Sequence, residues 1–279
     1  MAKHITQDEL EHLLSSIKIP PRPTVIEEIN SEKNKAYPNI AKFGQIISKD
    51  MALTAAMLKT ANSPFFGLRI KIETAQAAVI TMGINTALGI IIGIALKNAI
   101  GGKSPILEKF WQKAEKVAII ASYISGKVSG VPIDIAYMYA LFHDSGIPIM
   151  LHNFPEYAKT LMKTNMGYHL DFKFLEDESY IANHVMIGYL LATNWSLPKS
   201  ICQAVLNQHD ISILHSKEEF SEEARGLIAV IRFAEYLFDS FEQRDNREWD
   251  ESGSIILSYL NLSDDDFNGI KNEVFLLLE

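Results

Sequence analysis

Ser48-Lys49-Asp50-Met51-Ala52-Leu53-Thr54, running on to Lys59-Thr60-Ala61-Asn62-Ser63-Pro64-Phe65-Phe66-Gly67, is the stretch from which the rest of the chain is best read. Asp50 offers a side-chain oxygen to the orphan N–H groups at the start of a helix. Leu53, Met57 and Ala61 then fall in one stripe, with Leu58 beside it, at the period of an amphipathic helix. The helix has to stop before Pro64, because a proline biases the residue before it away from helical backbone. Phe65-Phe66-Gly67 follows as an aromatic pair, expected to plug an interface between two lobes, the alternative being an exposed knuckle for a partner.

Outward from this stretch the pattern stays helical. Upstream, Asn39 can cap a helix carrying Ile40, Phe43, Ile46 and Ile47. Thr24-Val25-Ile26-Glu27 and Thr6-Gln7-Asp8-Glu9 both read as capping boxes, a hydroxyl followed three residues later by a carboxylate. Downstream, Thr74 opens a helix with Ala77, Ala78 and Ile80. No charged residue lies between Glu73 and Lys97, a span near membrane-helix length. Thr81-Met82-Gly83-Ile84-Asn85-Thr86 interrupts it, so the sequence predicts two buried helices, the second over 86–98 and capped by Asn85, and no membrane insertion. Gly101-Gly102-Lys103-Ser104-Pro105 is the clearest boundary. It divides the chain into an N-terminal helical lobe, 1–100, and a larger helical lobe, 101–279.

The second lobe is expected to hold helices at 108–129, 134–142, 155–165, 178–194, 198–208, 221–244, 251–260 and 263–278, with Pro198 in a first turn. Residues 245–253, rich in charge, read as a solvated loop. His152, His169 and His215 lie in loop-like sequence. Trp111, Trp195 and Trp249 are packing residues, and Asp264-Asp265-Asp266 after Ser263 is a helix start that favours the dipole. Strand signals are nearly absent, and an all-α protein of more than ten helices is the simplest account.

A chain of 279 residues with 48% hydrophobic content can bury a sizeable core. Its net charge of −8 argues against a broad nucleic-acid-binding face, which needs basic residues to offset phosphates. The single cysteine, Cys202, cannot form an internal disulfide and sits in an apolar helical pattern. A buried thiol in a reducing, cytoplasmic setting follows. The opening residues MAKHITQDEL are too polar for a signal peptide.

The chemistry of the chain gathers around His143-Asp144, after Ala140-Leu141-Phe142 and before Ser145-Gly146. Adjacent residues can serve one ion only where the backbone turns at a helix end, and Ser145-Gly146 supplies that end. His184, His209 and Glu235 follow at intervals of about 25 residues, one per helix-plus-loop, so each can face a common centre. Imidazole and carboxylate ligands on separate rigid elements are what a hydrolytic divalent metal requires. His143, Asp144, His184, His209 and Glu235 are therefore the metal-ligand candidates.

The 48–67 stretch resembles the signature of the HDOD domain, a bacterial signalling domain related to the HD phosphohydrolases. The similarity continues through Ala75–Gly83, Ala140–Gly146 and Trp195-Ser196-Leu197-Pro198, and covers roughly residues 10–240. It implies a multi-helix HDOD fold, with an HD-like core in the second lobe and a regulatory role in signal transduction. Against the pattern of active HD hydrolases, Lys113 in Trp111-Gln112-Lys113-Ala114 stands where a histidine is expected. Glu235, in Ile231-Arg232-Phe233-Ala234-Glu235, replaces an aspartate, and His209-Asp210 stands where forms with two metals tend to have paired histidines. A protonated lysine has donors only and cannot ligate. Beside Asp144 or Glu235 it would replace a metal by an ion pair, and His143, Asp144, Lys113 and Glu235 would form a buried polar network.

Two functions follow. The first is a non-catalytic regulatory module that binds a signalling protein partner or a nucleotide-like ligand through a cleft between the lobes, with no cofactor. The second is a metal-dependent phosphohydrolase. In it Asp144 and Glu235 would hold manganese, iron or magnesium with His143, a bound water would attack phosphorus, and Lys113 would bind a phosphate oxygen; Asp144 and Lys113 are then the catalytic candidates.

Overall fold

The computed structural model describes residues 17–63, 70–100, 104–163, 176–177, 179–180, 182–216 and 220–279. Among these residues every regular element is helical and none is a strand. The readings of Thr6–Glu9, Phe65-Phe66-Gly67 and His169 lie outside the described residues.

Helix α1 spans Thr24–Lys33, α2 Ile40–Ser48 and α3 Met51–Ala61. Asn39 caps α2 by accepting from the amide of Ala41 at 2.9 Å, and Asp50 caps α3 by accepting from Leu53 at 2.9 Å. Helix α1 differs from its capping-box reading. Pro23, in extended backbone and without an N–H, is the residue before the helix, and no side chain caps it. Thr24 is thereby drawn into the first turn, and Glu27 pairs instead with Arg22 at 3.1 Å. At the end of α3 the side chain of Asn62 acts as a clamp. Its amide donates to the carbonyls of Leu58 and Ile72, both at 2.8 Å, and its carbonyl accepts from the amide of Ile72 at 2.7 Å.

Helix α4, Ala75–Met82, is capped by Thr74 as its sequence implies. The next helix, α5, runs over Ile84–Ile100 and is not capped by Asn85, which lies inside its first turn. Gly83 makes the break instead. Its φ of +81° is a left-handed backbone that glycine adopts without Cβ strain, and its carbonyl already accepts from Ala87. Among the described residues no helix is long and apolar enough to cross a membrane.

Helix α6 occupies Pro105–Ser125, with Ser104 as cap and Pro105 in the first turn, and α7 occupies Ile133–Phe142. Helix α7 packs against α5 on one side and α6 on another. The core that results is continuous from Ile17 to Val274. Helices α8 (Gly146–Asn153), α9 (Tyr157–Lys163), α10 (His184–Asn194) and α11 (Lys199–Leu206) follow, then a 3-10 turn at Ile211–His215. His152 lies in the last turn of α8 and His215 in the 3-10 turn, so neither is in a loop. Pro198 precedes α11 rather than opening it, because its extended backbone ends the turn before the helix begins. Trp195 is fully buried, lies edge-on to Phe142, and donates its Nε1–H to the carbonyl of Pro20 at 3.0 Å. It thus ties the N-terminal segment to the second half of the chain.

Helix α12 covers Glu222–Phe241, α13 Arg247–Tyr259 and α14 Asp264–Leu278. Helix α13 overturns the reading of 245–253 as a solvated loop. Asn246 caps it through the amide of Trp249 at 2.9 Å. Trp249 stacks on Phe233 and Tyr236 of α12, with ring centroids 5.2 and 4.3 Å away. The charged residues that suggested solvent face inward in part, as the site shows. Helix α14 starts with the capping box formed by Ser263 and Asp266.

Candidate functional site

Four elements meet at the C-terminal end of α7. The chain leaves that helix at Phe142, turns through His143, Asp144 and Ser145, and re-enters a helix at Gly146. A Cβ on Gly146 would lie 1.9 Å from the carbonyl oxygen of His184, so the starts of α8 and α10 touch backbone to backbone. This contact brings His184 opposite Asp144. Helix α6 brings Lys113, and α12 brings Arg232 and, one turn later, Glu235.

His143 donates Nδ1–H to the carbonyl of Ala140 at 2.8 Å, which fixes its ring and aims Nε2 at two carboxylates. Asp144 Oδ2 lies 3.2 Å from Nε2 and Glu235 Oε1 lies 3.4 Å from it. The same Glu235 oxygen receives the ammonium of Lys113 at 2.9 Å, and the other receives Arg232 Nη1 at 3.2 Å. Burial opposes charge on His143, but the neighbouring carboxylates of Asp144 and Glu235 outweigh it and hold the imidazole up at about 10. Burial likewise opposes charge on Asp144, yet His143, Lys113 and His184 keep its carboxyl well below the usual range. Glu235 is held low in the same way, against its burial, by Lys113, His143 and Arg232.

The second half of the network is built on His184. Its Nδ1 lies 2.5 Å from the buried carboxylate of Glu176, which also accepts from the hydroxyl of Tyr157. Burial alone would lower His184, and Glu176 reverses the shift upward. Its Nε2 faces His209 Nε2 at 3.1 Å, so one ring must donate and the other accept. Burial, with Arg232 beside it, lowers His209, whose Nδ1 lies between Arg232 Nη2 at 2.9 Å and Glu248 at 3.2 Å. Arg232 joins Glu248 by an ion pair and donates through Nη2 to the carbonyl of Gln208 at 2.7 Å. Gln208 donates to Asp144 Oδ1 at 3.3 Å.

Of the residues singled out from sequence, His143 contacts both Asp144 and Glu235, and Lys113 contacts Glu235. His184 reaches Asp144 only at 3.9 Å, and His209 meets this set through His184, at 3.1 Å. His209 sits in the turn after α11 rather than on a helix. Sequence reasoning passed over Glu176, Gln208 and Glu248 and assigned Arg232 no role. Asn246, three residues before Trp249, was the one local sign that Glu248 belongs to a helix.

One donor atom each from His143, Asp144 and Glu235 lies within 4.8 Å of the others, a set whose types suit a divalent cation. The surroundings do not. The Lys113 ammonium contacts the Glu235 oxygen that a metal would need, and the two carboxylates favour a proton on the His143 nitrogen of the set. As arranged, these residues do not fit a resident metal.

A family model described as the HDOD domain matches residues 19–211. An uncharacterized protein of Treponema pallidum is 23% identical over 218 residues, 77% of this chain and 41% of that one. The chain thus spans about two-fifths of that relative's length. Among solved structures, an HDOD domain protein of unknown function from Geobacter sulfurreducens superposes with a TM-score of 0.72 at 23% identity, over 97% of this chain and 94% of its own. A protein from Shewanella amazonensis, provisionally described as a phosphohydrolase, gives 0.71 at 20% identity, over 96% and 93%. Likenesses at these identities establish a shared all-helical fold. The family match takes in the Asp50–Gly67 stretch and the His143–Asp144 turn together, and with it the chain belongs to the HDOD domain family.

Proposed function

We propose that this chain is a non-catalytic signal-transduction module, acting by binding a protein partner or small ligand, whose HD-type centre is closed by ion pairs. The observation that carries this reading is the contact of the Lys113 ammonium with Glu235 at 2.9 Å. The charge count supports it. Four carboxylates, Asp144, Glu176, Glu235 and Glu248, face Lys113, Arg232 and the two imidazoles of His143 and His184. The carboxylates draw both imidazoles towards the charged form, so the network offsets much of its negative charge without a metal. A buried pair of this kind contributes little net stability, but removing one partner is costly, so the network favours one arrangement of α6, α7, α10 and α12.

The test is elemental analysis of the purified protein, joined to a hydrolysis assay on nucleotides and cyclic dinucleotides with added manganese, iron or magnesium. The reading expects no stoichiometric metal and no turnover. A bound first-row metal together with turnover lost in Asp144→Ala would establish the phosphohydrolase instead. That second reading draws its support from the three ligand-type donors of His143, Asp144 and Glu235.

A further inference from the structure

Beside the ion-pair centre, on the solvent side of Asp144, the helices leave a cleft of about 510 Å³. Its volume falls in the range of small-molecule sites, roughly 300–1,000 Å³. One wall is a single face of α6, where Lys109, Lys113 and Lys116 recur at intervals of four and three residues and so point the same way. Arg244, just past the end of α12, lines the same cleft. Two carboxylates, Asp144 and Glu242, line the same space, so cations outnumber them two to one in a protein whose net charge is −8.

Three of the basic groups, Lys113, Lys116 and Arg244, have partners before any ligand arrives. Glu242 contacts both Lys116, at 3.7 Å, and Arg244, at 3.3 Å. The same two cations lie over the ring of Phe238, at 5.7 and 6.0 Å from its centroid. Lys113 is oriented by Glu235. The rest of the lining is apolar, from Ile106, Phe110, Ile147 and Leu161. Phe110 is only half buried and packs edge-on against Trp111 at 4.9 Å. A site with a basic rim and an aromatic, apolar floor recognises a molecule with anionic oxygens at one end and a flat, weakly polar ring at the other.

We infer that this cleft binds a nucleotide, its phosphates among Lys109, Lys116 and Arg244 and its base against Phe110 and Ile147, without hydrolysing it. The assignment rests on the reading of the chain as a ligand-responsive module, and it locates the ligand within the second half of the chain, next to the ion-pair centre. Inorganic phosphates share the anionic chemistry but lack a base to fill the apolar floor.

The test is isothermal titration calorimetry on the full chain in EDTA-containing buffer. The probes are ATP, GTP, GMP, cyclic di-GMP and, separately, inorganic pyrophosphate. At least one nucleotide is expected to bind with a Kd below about 100 µM, and pyrophosphate at least about tenfold more weakly. Lys116→Ala and Arg244→Ala should each weaken the nucleotide about tenfold. If either fails to fold, Lys109→Glu, on the exposed rim, serves in its place. No binding by any nucleotide at about 1 mM, or binding indifferent to these substitutions, overturns the assignment. Pyrophosphate binding as tightly as the nucleotide overturns the role given to the apolar floor. Turnover of a bound nucleotide with added metal would refute the non-catalytic reading and, with it, binding without hydrolysis, while leaving the place of binding standing; absence of binding overturns the cleft assignment and leaves the non-catalytic reading standing.

Discussion

Lys113 on α6 and His143 after α7 converge on the same oxygen of Glu235, at 2.9 and 3.4 Å. The three groups come from elements 30 and 92 residues apart in sequence, and the oxygen is the joint between them. Both side chains of the Lys113–Glu235 pair are largely shielded, 19% and 10% exposed. Removing the cation alone should therefore strand a carboxylate. Lys113→Met is expected to cost about 2–4 kcal/mol in urea unfolding, and Glu235→Gln a similar amount. The double variant should recover at least about 1 kcal/mol of the sum. Strict additivity in that double-mutant cycle would mean the pair is not coupled.

Lys113→His should convert the centre towards a metal site. The substitution removes the competing ammonium and adds an imidazole beside the three donor atoms of His143, Asp144 and Glu235. Manganese titration by calorimetry should show one site per chain in the variant and none in the parent. Equal uptake by both would show that Lys113 is no barrier to a metal.

The pH dependence has a definite sign. His143 is raised in the fold to about 10 from an ordinary value near 6.5, so its contribution is fully present below about 6.5 and is lost as pH climbs through about 10. Urea midpoints at pH 6, 8 and 10 should fall more steeply for the parent chain than for His143→Gln. Parallel profiles would mean that His143 carries no extra proton in the folded state.

Asp239, fully buried on α12 one turn beyond Glu235, offers an independent measurement. Burial pushes its carboxyl up to about 6, although Asn246 donates to it at 2.8 Å. A raised carboxyl favours the protonated fold, so stability declines as pH rises from about 3.8 through 6, by roughly 3 kcal/mol in all. Asp239→Asn should raise Tm at pH 7.5 and leave it nearly unchanged at pH 4. A loss of stability at pH 7.5 would show that the ionised carboxylate is needed.

Gly146→Ala should be severely destabilising, by more than about 3 kcal/mol, because the clash is with the backbone of His184. Gly269 inside α14 has nothing within 4 Å of the same position, and Gly269→Ala should add about 0.5–1 kcal/mol. Thermal unfolding of both variants checks the contrast, and a mild effect at 146 would mean that α8 and α10 can separate freely.

What was legible in the sequence was local. Asn39, Asp50, Thr74 and Ser263 cap helices because the groups they satisfy are two or three residues away, within reach of pattern reading. Asn85 misled because Gly83, two residues earlier, offered the chain a left-handed turn that made a side-chain cap unnecessary. Helix α13 was hidden because its charges are satisfied by tertiary partners. Glu248 pairs with Arg232 and His209, which lie 16 and 39 residues away, and only Trp249 marks its apolar face. Glu176 was invisible for the same reason. Its role depends on His184 and Tyr157 arriving beside it, and no spacing announces that. Spacing supplied Glu235 and the HDOD resemblance supplied Lys113 as positions of interest, and side-chain geometry joined them.

The close approach at Gly146 has a consequence for how such a chain can diverge. The charged groups around it can be exchanged in compensating steps, since each has several partners. The absent side chain at 146 has no compensating step, because what it avoids is main chain. Drift in this lineage should therefore erase the chemistry of the centre long before it erases that one small residue, which makes the glycine a better marker of common descent than any ligand.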